Sequence, residues 1–169
     1  MKKVLANNFS SQTHVLLVED DVLALDISKF ILQQAGHAVT TAFNGKEGLL
    51  LLMGSADSSK PVNLVITDLT MPVMSGVDFI LEMRKRDFSM PVLVTTGCIH
   101  SYSEPQIKNI GADHILFKPF NAGALTDCVN TILARKRDNG GHSRLGVGKE
   151  AGILPAKRTR SGFVELSNT

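Results

Sequence analysis

Five short apolar runs punctuate the chain: HVLLV (14–18), AVTTA (38–42), NLVIT (63–67), PVLVTT (91–96) and HILF (114–117). Most are continuous rather than alternating, which predicts strands of a parallel sheet covered on both faces. The stretches between them have helical spacing. Over 22–35, Leu25, Ile27, Ile31, Leu32 and Ala35 are expected near one face, with Asp21 as N-cap and Gly36 as the stop. Shorter helices are predicted over 45–53, 77–86 and 103–110, the last tolerating Pro105 in its first turn. A final helix over 121–136 puts Leu125, Val129, Ile132 and Leu133 on one side and ends in basic residues, as a helix C-terminus prefers. Strict alternation of this kind predicts an α/β fold, a (βα)5 doubly wound five-stranded parallel sheet with right-handed crossovers.

Composition narrows the picture. With 169 residues, 43% hydrophobic and 20% charged, the chain can bury a core of its own. No apolar run approaches the ~20 residues that span a bilayer. The N-terminal MKKVLANNFSSQT has two lysines but no sustained apolar stretch, so no signal peptide is expected and the location reads as cytoplasmic. Cys98 and Cys128 lack CxxC spacing and read as reduced thiols. Residues 136–169 carry seven Lys/Arg against three Asp/Glu, while the remainder carries 11 against 13. The net charge of +2 thus belongs to the tail. That segment is glycine-rich without periodicity, and its GFVEL (162–166) is too short to be a domain. The organisation expected is an N-terminal extension (1–12), one folded domain (13–136) and a basic, disordered tail (137–169).

Ligands of doubly wound sheets bind at the carboxyl ends of the strands. Glu19 and Asp20 close the first run, Asp68 the third, Thr95 and Thr96 the fourth, and Lys118, before Pro119, the fifth. Each has a plainer reading alone: an acidic pair caps a helix, a threonine ends a strand, a Lys-Pro pair makes a solvated turn. All of them at one sheet edge is the coincidence that favours chemistry. Two carboxylates about 4 Å apart at an effective dielectric near 20 repel by ~4 kcal/mol. A hard divalent cation relieves that repulsion, and all-oxygen ligation favours Mg²⁺. A carboxylate so placed can attack phosphorus, and phosphoryl transfer asks mainly for positioning and charge neutralisation.

In order on successive strands, VLLVEDD, ITDLTMPVMSG, VTTG and FKPF resemble the receiver domain of two-component response regulators, a flavodoxin-like fold, over about residues 13–136. The resemblance implies that Asp68 accepts a phosphoryl group from the phosphohistidine of a sensor histidine kinase or histidine phosphotransfer protein. It implies that Asp20, Asp68 and the Thr70 carbonyl ligate Mg²⁺, with Glu19 holding the ion through water. Lys118 and the Thr96 hydroxyl contact the phosphoryl oxygens, Gly97 leaves them room, Pro72 shapes the Thr70 loop, and the Lys118–Pro119 bond is cis. Receivers usually carry an aromatic residue three before the lysine; here it is Ile115, stiff at χ1 and without a ring to swing. His114 and Phe117 are read as lying on the face opposite Ile115.

No helix-turn-helix pattern or turnover motif follows residue 136, so a stand-alone receiver of the chemotaxis type is expected. It would act on an unknown downstream protein through the fourth helix, fifth strand and fifth helix, or relay phosphate. A haloacid-dehalogenase-type phosphohydrolase also uses an aspartyl phosphate, but needs a second acid where Thr70 stands. The tail's Lys157, Arg158 and Arg160 permit a weak, salt-sensitive nucleic-acid contact, without an aromatic platform for a specific one.

Overall fold

The computed structural model of the protein describes residues 12–55, 59–97 and 102–139, with side chains as far as Arg135. The expected 1–12 extension, apart from its last residue, and the tail beyond residue 139 lie outside the described residues, as does Cys98. Five strands alternate with five helices: β1 (His14–Val18), α1 (Val22–Gln34), β2 (Ala38–Ala42), α2 (Gly45–Ser55), β3 (Leu64–Asp68), α3 (Gly76–Lys85), β4 (Val92–Thr96), α4 (Glu104–Asn109), β5 (His114–Phe117) and α5 (Ala122–Asn139). The sheet is wholly parallel in the order β2-β1-β3-β4-β5, the flavodoxin-like winding. Helix α5 runs three residues past the expected boundary at 136, because the sequence offers no strong helix breaker before Gly140.

Strand periodicity divides the core in two. Leu16, Val18, Val65, Val92 and Val94 face α2, α3 and α4 through Leu52, Phe79, Ile80, Met83 and Ile107. Val15, Leu17, Leu64, Ile66 and Leu93 face α1 and α5 through Leu25, Leu32, Leu125, Val129 and Ile132. Fully burying each such side chain is worth about 1.5–3 kcal/mol.

Local chemistry delimits the helices. The Asp21 carboxylate accepts the Ala24 N–H at 2.8 Å, and Gly36 leaves α1 with φ +90°. Gln106 accepts the Ser103 N–H at 2.8 Å at the start of α4, where Pro105 sits in the first turn. At the amino end of the sheet, the Arg84 guanidinium donates to the carbonyls of Phe88 (2.7 Å), Met90 (2.9 Å) and Gly111 (2.7 Å), tying the connections into β4 and β5 together.

Two expectations are corrected. The buried side of α1 is Leu25, Ser28 and Leu32; Ile27 is 52% exposed and Ala35 is exposed. At 100° per residue Ile27 stands about 200° from Leu25, on the other side of the helix. Phe117 does not lie opposite Ile115: side chains two apart on a strand share a face, so His114 and Leu116 take the other one. Ile115 packs into the α2–α4 core and Leu116 into the α1–α5 core, and Phe117 is hydrogen-bond register partner to Thr96.

One residue of the loop after β3 is strained. Val73 has φ 69° and is 78% exposed. A β-branched residue in the left-handed region costs roughly 1–2 kcal/mol, and so exposed a side chain recovers little by packing. Val73→Asn, which tolerates this region, is expected to raise stability by about 1 kcal/mol in urea titrations; a neutral or destabilising result would mean the valine makes a compensating contact.

Candidate functional site

Glu19, Asp68 and Lys118 meet for a reason legible in the strand period. Each follows by two residues a side chain packed into the core under α1 and α5: Leu17, Ile66 and, partly buried, Leu116 respectively. Each therefore projects to the same side of the sheet, at its carboxyl edge. Pairing of β3 next to β1, and of β4 between β3 and β5, then sets the separation.

Lys118 is the hub. Its ammonium donates to Asp68 Oδ2 at 2.5 Å and to Glu19 Oε2 at 2.6 Å. The second Asp68 oxygen, Oδ1, accepts the Thr70 N–H at 3.0 Å. Glu19 is only 5% exposed, whereas Asp20 is exposed at the mouth. Carboxylate oxygens of Glu19, Asp20 and Asp68 lie within 4.8 Å of one another. Thr96, fully buried, ends β4 one residue beyond Thr95, the register partner of Asp68. The Lys118 N–H binds the Thr96 carbonyl at 2.9 Å, which locks the lysine backbone beside the threonine. The Lys118–Pro119 bond is cis. All six residues singled out from the sequence, Glu19, Asp20, Asp68, Thr70, Thr96 and Lys118, thus stand at one edge.

Burial and charge oppose each other here. Burial raises the Glu19 carboxyl above its ordinary 4.5, and the hydrogen bond from Lys118 only partly counters it. Burial alone would lower the Lys118 ammonium, but its hydrogen bonds to Asp68 and Glu19 outweigh that and raise it above 10.5. The ammonium therefore stays charged while Glu19 holds its proton to higher pH than a free glutamate. Between pH 4.5 and the raised value, the folded chain binds a proton that the unfolded chain has released. Stability then falls as pH rises through that window. Glu19→Gln removes this slope, so its stability relative to wild type, in metal-free buffer, is expected to improve from pH 4.5 toward neutrality. A pH-independent difference would contradict the assignment.

The donor set fits a hard divalent cation: three carboxylates, one buried, one half-buried and one exposed, with no nitrogen or sulfur ligand among them. The Lys118 ammonium offsets part of the charge on Glu19 and Asp68.

Sequence reasoning missed what Gly76 does, although it closes the ITDLTMPVMSG stretch. A Cβ there would sit 1.8 Å from the Asp68 carbonyl oxygen. The start of α3 thus presses directly on the backbone that aims Asp68, and the Gly76 N–H binds the Leu69 carbonyl at 3.0 Å. Gly76→Ala must push backbone apart and is expected to cost more than about 3 kcal/mol, measured by denaturant unfolding; a cost under 1 kcal/mol would show that the loop yields freely. Gly97 is different: among the described residues, a Cβ there would come near only the Lys118 Cβ, at 4.0 Å.

The doubly wound sheet carries its acid–lysine cluster at the carboxyl edge, which makes this a flavodoxin-like α/β domain. The chain belongs to the response regulator receiver domain family, whose model matches residues 15–130. It is 29% identical over 125 residues to the response regulator SaeR of Staphylococcus aureus, covering 74% of this chain and 52% of that protein. It therefore spans about half the length of the curated relatives it matches. Among solved structures, the chemotaxis response regulator CheY4 of Vibrio cholerae is 28% identical with a TM-score of 0.64, over 72% of this chain and 99% of that one. A response regulator receiver domain from Clostridium thermocellum is 32% identical with a TM-score of 0.64, over 74% and 97%. Family membership sets the haloacid-dehalogenase reading aside, in keeping with Thr70 standing where that chemistry needs an acid. No helix among the described residues is long and apolar enough to cross a membrane.

Proposed function

We propose that Asp68 is the phosphoacceptor of this receiver and that its phosphorylation shifts the domain between two conformations read by a partner protein. The observation that carries this reading is the Lys118 ammonium bound at once to Asp68 and Glu19 at the strand ends. The Asp68 carboxylate attacks the phosphorus of a phosphohistidine on a sensor histidine kinase or histidine phosphotransfer protein. A P–O bond forms, the P–N bond breaks, and its electron pair returns to the imidazole. Lys118 and the Thr96 hydroxyl neutralise the oxygens of the transferred group. Asp20, Asp68 and the Thr70 carbonyl would hold Mg²⁺, with Glu19 acting through water. When bound, the ion offsets the charge gathering on the phosphoryl oxygens. The product is a covalent signal rather than a released compound, so the protein is not a turnover enzyme, and its setting is the cytoplasm. The receiver occupies 13–136 and runs on to the end of α5 at Asn139.

Ile115 bears on output. A stiff aliphatic side chain cannot exchange buried and exposed ring positions, so coupling through that position is weak. A full switch from 1:99 to 99:1 needs about 5.5 kcal/mol of differential stabilisation. Passing phosphate to a second protein needs less, which favours a relay.

Incubation with labelled acetyl phosphate and Mg²⁺ is expected to give stoichiometric labelling that EDTA abolishes. Steady hydrolysis of p-nitrophenyl phosphate without a labelled protein would reject the reading.

A further inference from the structure

Strand β2 is an edge of the sheet: among the described residues it pairs only with β1. Proteins usually blunt such an edge with charge, proline or a bulge. AVTTA (38–42) has no charge and no proline, and its register with β1 is unbroken. The Ala38 N–H donates to the Thr13 carbonyl at 2.9 Å, and the Ala42 carbonyl accepts the Glu19 N–H at 3.0 Å. Residues 38, 40 and 42 therefore turn their backbone groups toward β1. By strand alternation, Val39 and Thr41 turn theirs to the open side.

The helices beside this edge have matching flanks. Helix α2 packs on β1 and β2 on one face of the sheet. Its glycine side, Gly45 and Gly48, lies against Phe79 of α3. Leu50 and Met53 are 61% and 52% exposed, and they stand about 160° and 140° from Gly48 around the helix. They point away from α3, toward the open edge. Helix α1 covers β1 and β2 on the other face, with Ile31 in the core it shares with α5. Asp26 and Lys29 stand about 140° and 160° from Ile31, on the flank away from α5.

The edge complements itself. The midpoints of β2, α2 and α1 are Thr40, Leu50 and Ser28. A two-fold axis normal to the sheet beside Thr40 sets a second β2 antiparallel to the first. Val39 of one copy then faces Thr41 of the other, the two exchange both backbone hydrogen bonds, and every outward group is bonded. Helices that straddle the two outer strands come two strand spacings, about 10 Å, from their mates, the distance at which helices pack. Leu50 meets Leu50 of the second copy. Asp26 lies within about 2 Å, along the helix axis, of the level of Lys29 of the second copy. Opposite charges thus face each other on both sides of the axis.

We infer that this protein forms a two-fold dimer through β2, with Leu50 and Met53 of α2 closing one face of the seam and Asp26–Lys29 pairs closing the other. The strands of the two copies run in opposite directions, so the Asp68 pockets open at opposite ends of the joined sheet and both stay accessible. The dimer does not rest on the phosphoacceptor reading.

Sedimentation velocity of the full chain over a concentration series, in EDTA and without phosphodonor, is expected to show a monomer–dimer equilibrium. Thr41→Pro removes an outward N–H that β1 does not use, and Leu50→Asp charges an exposed helix position. Each is expected to weaken association at least about tenfold. Should Thr41→Pro fail to fold, Leu50→Asp carries the test alone. In a Cys98→Ser/Cys128→Ser background, Thr40→Cys is expected to give a disulfide-linked dimer on mild oxidation, because Thr40 stands opposite itself in a non-hydrogen-bonded pair with close Cβ atoms. Adding Leu50→Asp should remove that link. A monomer at every concentration overturns the proposal, whether β2 is bare or its Val39 and Thr41 amides are protected from hydrogen exchange by another segment of the chain. A dimer that keeps its affinity in Leu50→Asp and leaves Thr40→Cys unlinked uses another surface, and overturns it equally.

Discussion

Asp68→Asn is expected to abolish phosphoryl labelling from acetyl phosphate and from phosphohistidine donors. The amide keeps the size of the carboxylate and can still accept the Thr70 N–H, which reaches Asp68 Oδ1 at 3.0 Å. It is no nucleophile toward phosphorus, so the loss should exceed about 10⁴-fold, the scale on which removing a catalytic nucleophile acts. Folding should survive, because Lys118 retains Glu19 at 2.6 Å and the change in stability stays within about 1–2 kcal/mol. Labelling measured beside an unfolding curve separates the two effects. Label at wild-type level on the variant would move the acceptor to another residue.

Lys118→Met has the second largest effect, and it has two parts. The thioether fills the stem's volume but removes the one ammonium bridging Glu19 and Asp68. Leaving partly buried acids without their cation costs about 3–5 kcal/mol in the absence of metal. Protonation of Glu19, whose carboxyl burial already raises, limits that loss. The second part concerns Mg²⁺, which no longer competes with an internal cation for the same oxygens. It should bind the variant more tightly and restore much of the lost stability. Transfer to Asp68 nevertheless slows on the order of 100-fold, the usual consequence of deleting one group that stabilises developing charge. Unfolding in EDTA and in Mg²⁺, with single-turnover labelling, reads all three quantities. Equal stability of variant and wild type in EDTA would show that the bridging ion pairs contribute nothing to the fold.

Much of this protein is determined by its sequence alone. The runs at 14–18, 38–42 and 114–117 are the strands β1, β2 and β5 to the residue, because polar and turn-forming residues bound each short run sharply. The residues at the carboxyl edge were identifiable because parallel winding directs every strand the same way, so position after a strand is itself a spatial coordinate. The face of each helix was harder. The apolar spacing over 22–35 groups Ile27 with Leu25 on one face, yet the about 200° between them turns Ile27 outward. What only the tertiary structure decided were contacts between segments whose separation no local rule encodes. The convergence of Lys118 on Glu19 as well as Asp68 depends on strand order and register. The approach of Gly76 to the Asp68 carbonyl depends on where α3 docks. Val73's left-handed φ is imposed by the loop against the residue's own preference. Periodicity reports which side of an element is buried, whereas close approach between elements is set by packing of the whole domain.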